Sequence, residues 1–144
     1  MRVTDSRYDG EMSKFNLAVR MIGHEARTGT IRACTGFSED RIRKIWNTYF
    51  RQAGNGTVRR RRGKTPTQIA AFLSSSLQQS EATVLACLFV YCGLVTLREG
   101  SSKVTGQRLD PLGLGQRMCD AFETYCCMHP EPALCFERAW SLYN

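Results

Sequence analysis

The sequence of 144 residues predicts an all-α protein. Apolar residues recur at steps of three, four and seven positions in several segments, which is the period of a helix with one buried face. No segment shows the period of two that is typical of strands. Thr65-Pro66 and Asp110-Pro111 each place proline directly after an N-cap residue, which is a helix start signal. We therefore expect helices along the whole chain.

The segment from Arg27 to Arg51 is predicted to form two short helices joined by a turn at Gly36. The first helix covers residues 30–35, and Ser38 caps the second. One stripe of the second helix is apolar and consists of Ile42, Ile45, Trp46 and Tyr49. Its other side carries Arg41, Arg43, Lys44, Asn47, Thr48 and Arg51.

A short cationic helix entered through a glycine turn is the pattern of a helix-turn-helix recognition helix. Helix-turn-helix units often have a small residue four positions before the turn glycine, where this chain has Arg32. An ordinary helical hairpin with a solvated charged face is therefore the alternative. A further helix over residues 13–26, capped by Ser13, would complete a three-helix head over residues 13–53. The polar residues before it are expected to be frayed.

Charge is concentrated in the N-terminal half. Residues 1–66 contain 15 Lys/Arg and 6 Asp/Glu, whereas residues 67–144 contain 5 and 7. A basic linker over residues 54–66 holds five of these cations, Arg59, Arg60, Arg61, Arg62 and Lys64. Such a surplus of positive charge favours a polyanion such as nucleic acid as the partner. The linker is then expected to be an arm that contacts phosphates or enters a minor groove. A merely solvated linker is the alternative.

Residues 67–144 are predicted to form a helical bundle that binds a partner. A helix from Pro66 to about Gln79 precedes a second one that starts at Ser80 and is apolar on almost every side through Val95. Such a helix is buried in a bundle or against a partner subunit. A polar loop over residues 100–106, a helix from Pro111, and a last helix over residues 133–143 follow.

The sequence indicates no metal, no cofactor and no enzymatic activity. The cluster of Cys119, Cys126, Cys127, His129 and Cys135 lacks the paired spacing of zinc knuckles, so buried thiols are expected instead. Arrangements of catalytic residues are also missing, since the chain has only two histidines. Seven cysteines, an odd number, indicate reduced thiols, and no secretion signal or membrane span is recognised. These features predict a cytoplasmic protein.

The order of these features resembles the FlhC family of bacterial transcription activators, which control flagellar genes and have relatives on conjugative elements. The resemblance lies in NLAVRMIGHEAR followed by FSEDRIRKIWNTYFR, in the spacing of Gly54, Gly63 and Pro66, and in the closing PALCFERAWSLYN. It implies a cytoplasmic activator that binds promoter DNA together with a FlhD-like helical partner and recruits RNA polymerase. The family's cysteine-rich zinc segment is missing after Asn144, so zinc is not expected. Either this is a short member, or it relies more on its partner, or the sequence is truncated.

Two functions are therefore expected. In the first, Arg41, Arg43, Lys44 and Asn47 enter the major groove of promoter DNA, while the basic run from Arg59 to Lys64 holds phosphates. Ser38, Thr48 and Arg51 complete the candidate DNA-binding residues. In the second, the chain is a protein-interaction subunit that binds and modulates a partner regulator without reading DNA.

Overall fold

The computed structural model describes residues 3–51, 73–97, 104–106 and 109–143. These residues are mostly helical, as predicted, with one short pair of strands. The chain divides into two compact units, Met1–Lys64 and Thr65–Asn144. We call them unit 1 and unit 2. The predicted linker over residues 54–66 lies outside the described residues, and the predicted domain boundaries stay predictions.

The described part of unit 1, residues 3–51, contains three α-helices, α1 (Val3–Gly23), α2 (Thr28–Thr35) and α3 (Glu39–Trp46), followed by a π-helical turn (Asn47–Arg51). Each α-helix contacts the other two. Their shared core consists of side chains that are at most 5% exposed: Leu17, Ala18, Met21, Ile22, Ala26, Ile31, Cys34, Phe37, Ile42 and Ile45. Burial of these apolar side chains is the main force that holds the three helices together.

Helix α1 is longer at its start than predicted. It begins at Val3, so the expectation that the first residues are frayed is wrong. Polar residues such as Arg, Glu and Lys are good helix formers, and a salt bridge between Glu11 and Lys14 supports this part of the helix. The helix ends at Gly23 because Glu25 takes a positive φ of 59°, and the next N–H, of Ala26, donates to the carbonyl of Met21.

The turn between α2 and α3 forms as predicted. Gly36 has a φ of 74°, and its N–H donates to the carbonyl of Arg32 at 2.8 Å. A residue without Cβ takes this left-handed conformation at little cost. The side chain of Arg32 is exposed, so it does not hinder the approach of the two helices.

Unit 2 contains α4 (Ser76–Tyr91), β1 (Val95–Leu97), β2 (Val104–Gly106), α5 (Pro111–Met128) and α6 (Phe136–Tyr143). Helices α4, α5 and α6 contact one another around a core that includes Leu85, Phe89, Met118, Phe122, Tyr125 and Phe136. The predicted start of α5 is confirmed, because the Asp110 side chain accepts a hydrogen bond from the N–H of Gly113.

The predicted break between two helices at Ser80 is wrong. Ser75 and Gln78 form a capping box, so α4 starts at Ser76 and continues through Ser80 without interruption. The segment before Ser75 is not helical as far back as Leu73, and residues 52–72, including the predicted start at Pro66, lie outside the described part of the chain.

The all-α prediction also missed the two strands. Helix α4 ends at Tyr91, and Gly93 takes a φ of 78°, which turns the chain away from the helix axis. Val95 therefore lies in a strand, antiparallel to β2, with Val95 opposite Gly106. This pairing corrects the predicted helix through Val95 and, at residues 104–106, the predicted polar loop. Residues 100–103 of that loop lie outside the described residues. Strands of three residues are too short to show a periodicity.

The cysteines are less buried than expected. Cys119 is buried and Cys126 is half-buried, whereas Cys127 and Cys135 are exposed. The prediction of buried thiols is wrong for these last two residues. Among the described residues, no three His, Cys, Asp or Glu side chains lie close enough to hold a metal ion, and no helix is both long and apolar enough to cross a bilayer.

Candidate nucleic-acid interface

Helix α3 is built as an amphipathic helix with a strong start. The hydroxyl of Ser38 accepts a hydrogen bond from the N–H of Arg41, as expected of an N-cap. Glu39 and Asp40 place carboxylates in the first turn, where the helix dipole favours negative charge. Ile42 and Ile45 are buried, so they fix which side of α3 faces the core. The opposite side is left for a partner or for solvent.

The outward side of α3 carries the predicted cations. Arg41, Arg43 and Lys44 are exposed, and Asn47 is half-buried. Thr48 and Arg51 in the following turn are also exposed. The structure thus places these side chains on one connected surface of unit 1, which we call the α3 surface, although Asn47 is less accessible than its predicted role in a groove requires.

Arg41 is held by two contacts. Its guanidinium carbon lies 3.9 Å from the centre of the Phe37 ring, and its Nη1 lies 3.3 Å from Oε2 of Glu11 on α1. Phe37 is 5% exposed, so the guanidinium covers the accessible part of a buried ring. A cation on an aromatic face at an exposed site is worth about 0.5–1 kcal/mol. These contacts orient Arg41 before any partner binds.

The other two cations of α3 differ in whether a carboxylate pairs with them. Arg43 Nη2 lies 3.0 Å from Oδ1 of Asp40 one turn earlier. Lys44 has no ion pair with any of the described residues. Among the three cations of α3 itself, Lys44 therefore carries the most available positive charge.

The ion pairs of Arg41 and Arg43 are exposed and weak. Side chains in both pairs are between 47% and 77% exposed. Pairs of this kind contribute roughly 0–1 kcal/mol, so a phosphate group can displace the carboxylates at small cost. Acidic residues nevertheless lower the positive potential of this segment. Residues 3–51 contain nine Lys/Arg and six Asp/Glu, which gives a net charge of +3.

The remaining part of the predicted interface is not described. The five predicted phosphate-binding residues lie outside the described residues: Arg59, Arg60, Arg61, Arg62 and Lys64. These five residues supply more than half of the charge surplus of residues 1–66. Their contribution to a phosphate-binding arm stays a prediction.

One residue of the predicted buried stripe is exposed. Tyr49 is 51% exposed and packs edge-on against Phe15 of α1, with ring centres 5.6 Å apart. The cause is the π-helical turn Asn47–Arg51, in which each turn holds more residues than an α-helix and rotates the side chains that follow. In the same turn, the hydroxyl of Thr48 donates to the carbonyl of Lys44 at 2.8 Å.

Sequence reasoning missed Glu11 as a neighbour of the interface. It was assigned to a frayed terminus, whereas it lies on α1 and contacts Arg41. A signal was present, since Tyr8, Met12 and Phe15 continue the helical spacing of three and four backwards from the predicted start. Following this pattern would have placed Glu11 on a helix.

Unit 2 contains a separate polar cluster that the sequence did not reveal. Glu81 on α4 is 2% exposed, and its Oε1 accepts hydrogen bonds from the hydroxyl of Tyr125 at 2.7 Å and from the N–H of Ala133 at 3.2 Å. The Tyr125 hydroxyl in turn accepts a hydrogen bond from the N–H of Leu134 at 3.1 Å. This cluster ties α4, α5 and the segment before α6 together.

The cluster perturbs the ionisation of both side chains. Burial raises the pKa of Glu81, whereas the hydrogen bonds from Tyr125 and Ala133 and the nearby His129 lower it. The lowering effects outweigh burial, so the pKa of Glu81 lies below its ordinary value. Burial and the bond to Glu81 raise the pKa of Tyr125. Oε2 of Glu81 is buried without a hydrogen-bond partner among the described residues. The arrangement suits a structural clamp, since no side chain in it faces an open site.

Comparison with protein-family models, with curated proteins and with solved structures gave no match. The resemblance to the FlhC family therefore stays a prediction that is based on the motifs of the sequence.

Proposed function

We propose that unit 1 binds double-stranded DNA through the α3 surface. In this proposal the chain is a transcription activator of the FlhC type, which acts with a FlhD-like helical partner and recruits RNA polymerase at flagellar or conjugation promoters. The basic run from Arg59 to Lys64 adds phosphate contacts beside α3. Arg41, Arg43 and Lys44 reach the major groove, where guanidinium and ammonium groups pair with guanine edges.

The observation that carries the proposal is the exposure of three cations on a short helix that is capped by Ser38 and entered through the left-handed turn at Gly36. A recognition helix needs such a rigid entry and an accessible polar side. The contact of Arg41 with Phe37 supports it further, because a preoriented guanidinium loses less entropy when it binds.

The direct test is the substitution Lys44→Ala. Because Lys44 has no ion pair with the described residues, the change removes one available charge and leaves the packing of α3 intact. We expect promoter affinity to fall about fivefold to tenfold, and the slope of log K against log salt to decrease by about 1. A gel-shift titration at several salt concentrations measures both quantities.

Arg32→Ala is the matched control. Arg32 is an exposed cation of the same unit, but it lies on α2, outside the α3 surface. Arg32→Ala removes one positive charge, as Lys44→Ala does, so a non-specific effect of net charge would lower the DNA affinity of both variants equally. An equal loss, or no retention of DNA by the unchanged protein at low salt, would contradict the proposal.

A second substitution tests the role of Arg41. Glu11→Gln removes the carboxylate that lies 3.3 Å from Arg41 and keeps the shape of the side chain. Because phosphate then no longer competes with Glu11, we expect DNA affinity to rise about twofold to fivefold, as for the loss of a weak surface pair. A fall in affinity would mean that Glu11 supports the binding geometry instead of opposing it.

A second candidate function is a protein-interaction subunit that modulates a partner regulator without binding DNA. The observation that favours it is the exposed apolar side of α4, where Leu77 and Tyr91 are 62% and 87% exposed. Large exposed apolar patches are typical of binding surfaces. A complex with a FlhD-like protein that is insensitive to salt, together with no DNA retention at low salt, would support this function over the first.

A further inference from the structure

Arg41 differs from the other cations of α3 in the elements that hold it. Lys44 has no ion pair with the described residues, and Arg43 pairs with a carboxylate of its own helix. The guanidinium of Arg41 instead contacts Phe37, in the turn before α3, and Glu11 on α1. Two elements outside its own helix thus hold Arg41 in one orientation.

The ring of Phe37 is a fixed platform for Arg41. Phe37 is 5% exposed, and its backbone N–H donates to the Thr35 hydroxyl at 3.2 Å. That hydroxyl donates in turn to the carbonyl of Ile31 at 2.8 Å, and Thr35 is 2% exposed. Because these hydrogen bonds are buried, the turn and its ring are positioned without help from a partner.

One edge of the Arg41 guanidinium is left for a partner. Glu11 accepts a hydrogen bond from Nη1 at 3.3 Å, whereas Nε and Nη2 have no hydrogen bond with the described residues. The Nε–H and Nη2–H groups share one edge of the guanidinium plane and form a fork that matches two acceptors. Guanine presents two acceptors, N7 and O6, in the major groove, whereas adenine presents one acceptor and one donor. The free edge of Arg41 therefore fits guanine.

Arg41 also lies at the end of α3 that is expected to approach the bases. In helix-turn-helix proteins, the N-terminal residues of the recognition helix contact base edges. Arg41 is in the first turn of α3, where its N–H donates to the hydroxyl of Ser38, whereas Lys44 lies about one turn later. Among the cations of this helix, Arg41 is thus the best placed to contact a base.

We propose that Arg41 reads a guanine in the major groove, with Phe37 as its platform and Glu11 as the group that biases it against phosphate. This inference rests on the proposed binding of double-stranded DNA by unit 1. It adds which side chain of the α3 surface supplies the main sequence preference. Lys44 is a flexible point charge and mainly supplies affinity.

Glu11 contributes to this preference through its negative charge. A phosphate that approaches Arg41 is repelled by the carboxylate 3.3 Å from Nη1, whereas the neutral edge of guanine is not. Sequence preference is a difference between two affinities, so a group that weakens the phosphate contact increases the preference for the base. Glu11 therefore lowers total affinity and raises discrimination at the same time.

Selection from a library of randomised duplexes by the full chain, followed by gel-shift titration of single base-pair changes, tests the proposal. We expect one position at which replacement of G:C by A:T lowers affinity about fivefold to 150-fold. In Arg41→Ala the preference at this position falls below about twofold. Lys44→Ala is the matched control, because it lowers the affinity for all duplexes and keeps the preference at the Arg41 position.

Phe37 and Glu11 are positioning residues, and their variants distinguish this role from a structural one. Phe37→Leu removes the aromatic face, so we expect the preference at the same position to fall about twofold to fivefold, whereas Phe37→Tyr keeps it. Glu11→Gln changes an exposed side chain and is expected to raise the affinity for every duplex while it reduces the preference. A purely structural role would change the affinity for all sequences by the same factor.

Two results would overturn the proposal while unit 1 still binds DNA. The first is a selected site in which no base pair loses its preference in Arg41→Ala. The second is a preference that is unchanged or larger in Glu11→Gln, which would remove the assigned role of the carboxylate. No retention of any duplex by the unchanged chain at low salt would instead contradict the proposed function itself, and this inference would fall with it.

Discussion

Replacement of Tyr125 by phenylalanine removes one buried hydroxyl and two hydrogen bonds from unit 2. The hydroxyl donates to Glu81 at 2.7 Å and accepts from the N–H of Leu134 at 3.1 Å. A hydrogen bond to a charged group is worth about 1.5–3 kcal/mol, and a buried N–H without a partner costs about 1–3 kcal/mol. We therefore expect the free energy of unfolding of unit 2 to fall by about 3–5 kcal/mol.

The loss should depend on pH. The net pKa of Glu81 is lowered in the folded protein, so its contribution to stability is fully present above the unfolded pKa of about 4.3 and is lost as the pH falls through the folded value. Tyr125→Phe removes the strongest hydrogen bond that lowers this pKa. The difference in unfolding free energy between the two proteins is thus expected to be largest at pH 7 and to shrink as the pH approaches about 3.

Urea denaturation followed by the fluorescence of Trp140 measures this difference. Trp46 in unit 1 is replaced by phenylalanine in all variants, so that the signal comes from unit 2 alone. Tyr143→Phe is the matched control, because Tyr143 packs edge-on against Phe89 and its hydroxyl has no hydrogen bond with the described residues. A loss below about 1 kcal/mol for Tyr125→Phe, or the same loss at both ends of the pH range, would refute the reasoning.

Three substitutions test the local structure by urea denaturation. Gly36→Ala is expected to cost about 1 kcal/mol, because the new Cβ meets no atom within 4 Å and only the φ of 74° is strained. Gly93→Ala is expected to cost about 1–2 kcal/mol, because its φ of 78° is strained and the new Cβ displaces the flexible end of Arg117 from an exposed hydrogen bond to the carbonyl of Cys92. Ser38→Ala removes the cap of α3 and is expected to cost about 1 kcal/mol. An equal loss of unfolding free energy at the two glycines would argue against the collision with Arg117. An unchanged stability of the Ser38→Ala variant would mean that water replaces the capping hydroxyl.

The helix boundaries that were predicted well depend on local chemistry. Ser38, Gly36 and the pair Asp110-Pro111 act through their own backbone geometry and through hydrogen bonds to residues at most four positions away. Such signals are visible in a sequence because no distant residue is needed. The starts of α1 and α4 were missed although their signals are also local. Tyr8 and Met12 continue the helical spacing of α1 toward its N-terminus, and Ser75 forms a capping box with Gln78 before Ser80, which itself resembles a cap.

The candidate site was predicted in its chemistry but not in its contacts. The exposure of Arg41, Arg43 and Lys44 follows from the burial of Ile42 and Ile45 on the same helix, and this is a matter of helical period. The pairing of Arg41 with Glu11 spans 30 residues and depends on how α1 packs against α3, which periodicity does not determine. The Glu81–Tyr125 bond, which spans 44 residues, was missed for the same reason.

The π-helical turn Asn47–Arg51 also affects how the chain tolerates insertions and deletions. A π-helical turn holds about one residue more than an α-helical turn, so removal of one residue from it would return the backbone to ordinary α phase. Ile42 and Ile45 precede the turn and would keep their places in the core. Length variation by a single residue is therefore expected to be tolerated here, whereas within α3 it would rotate the cationic side chains toward the core.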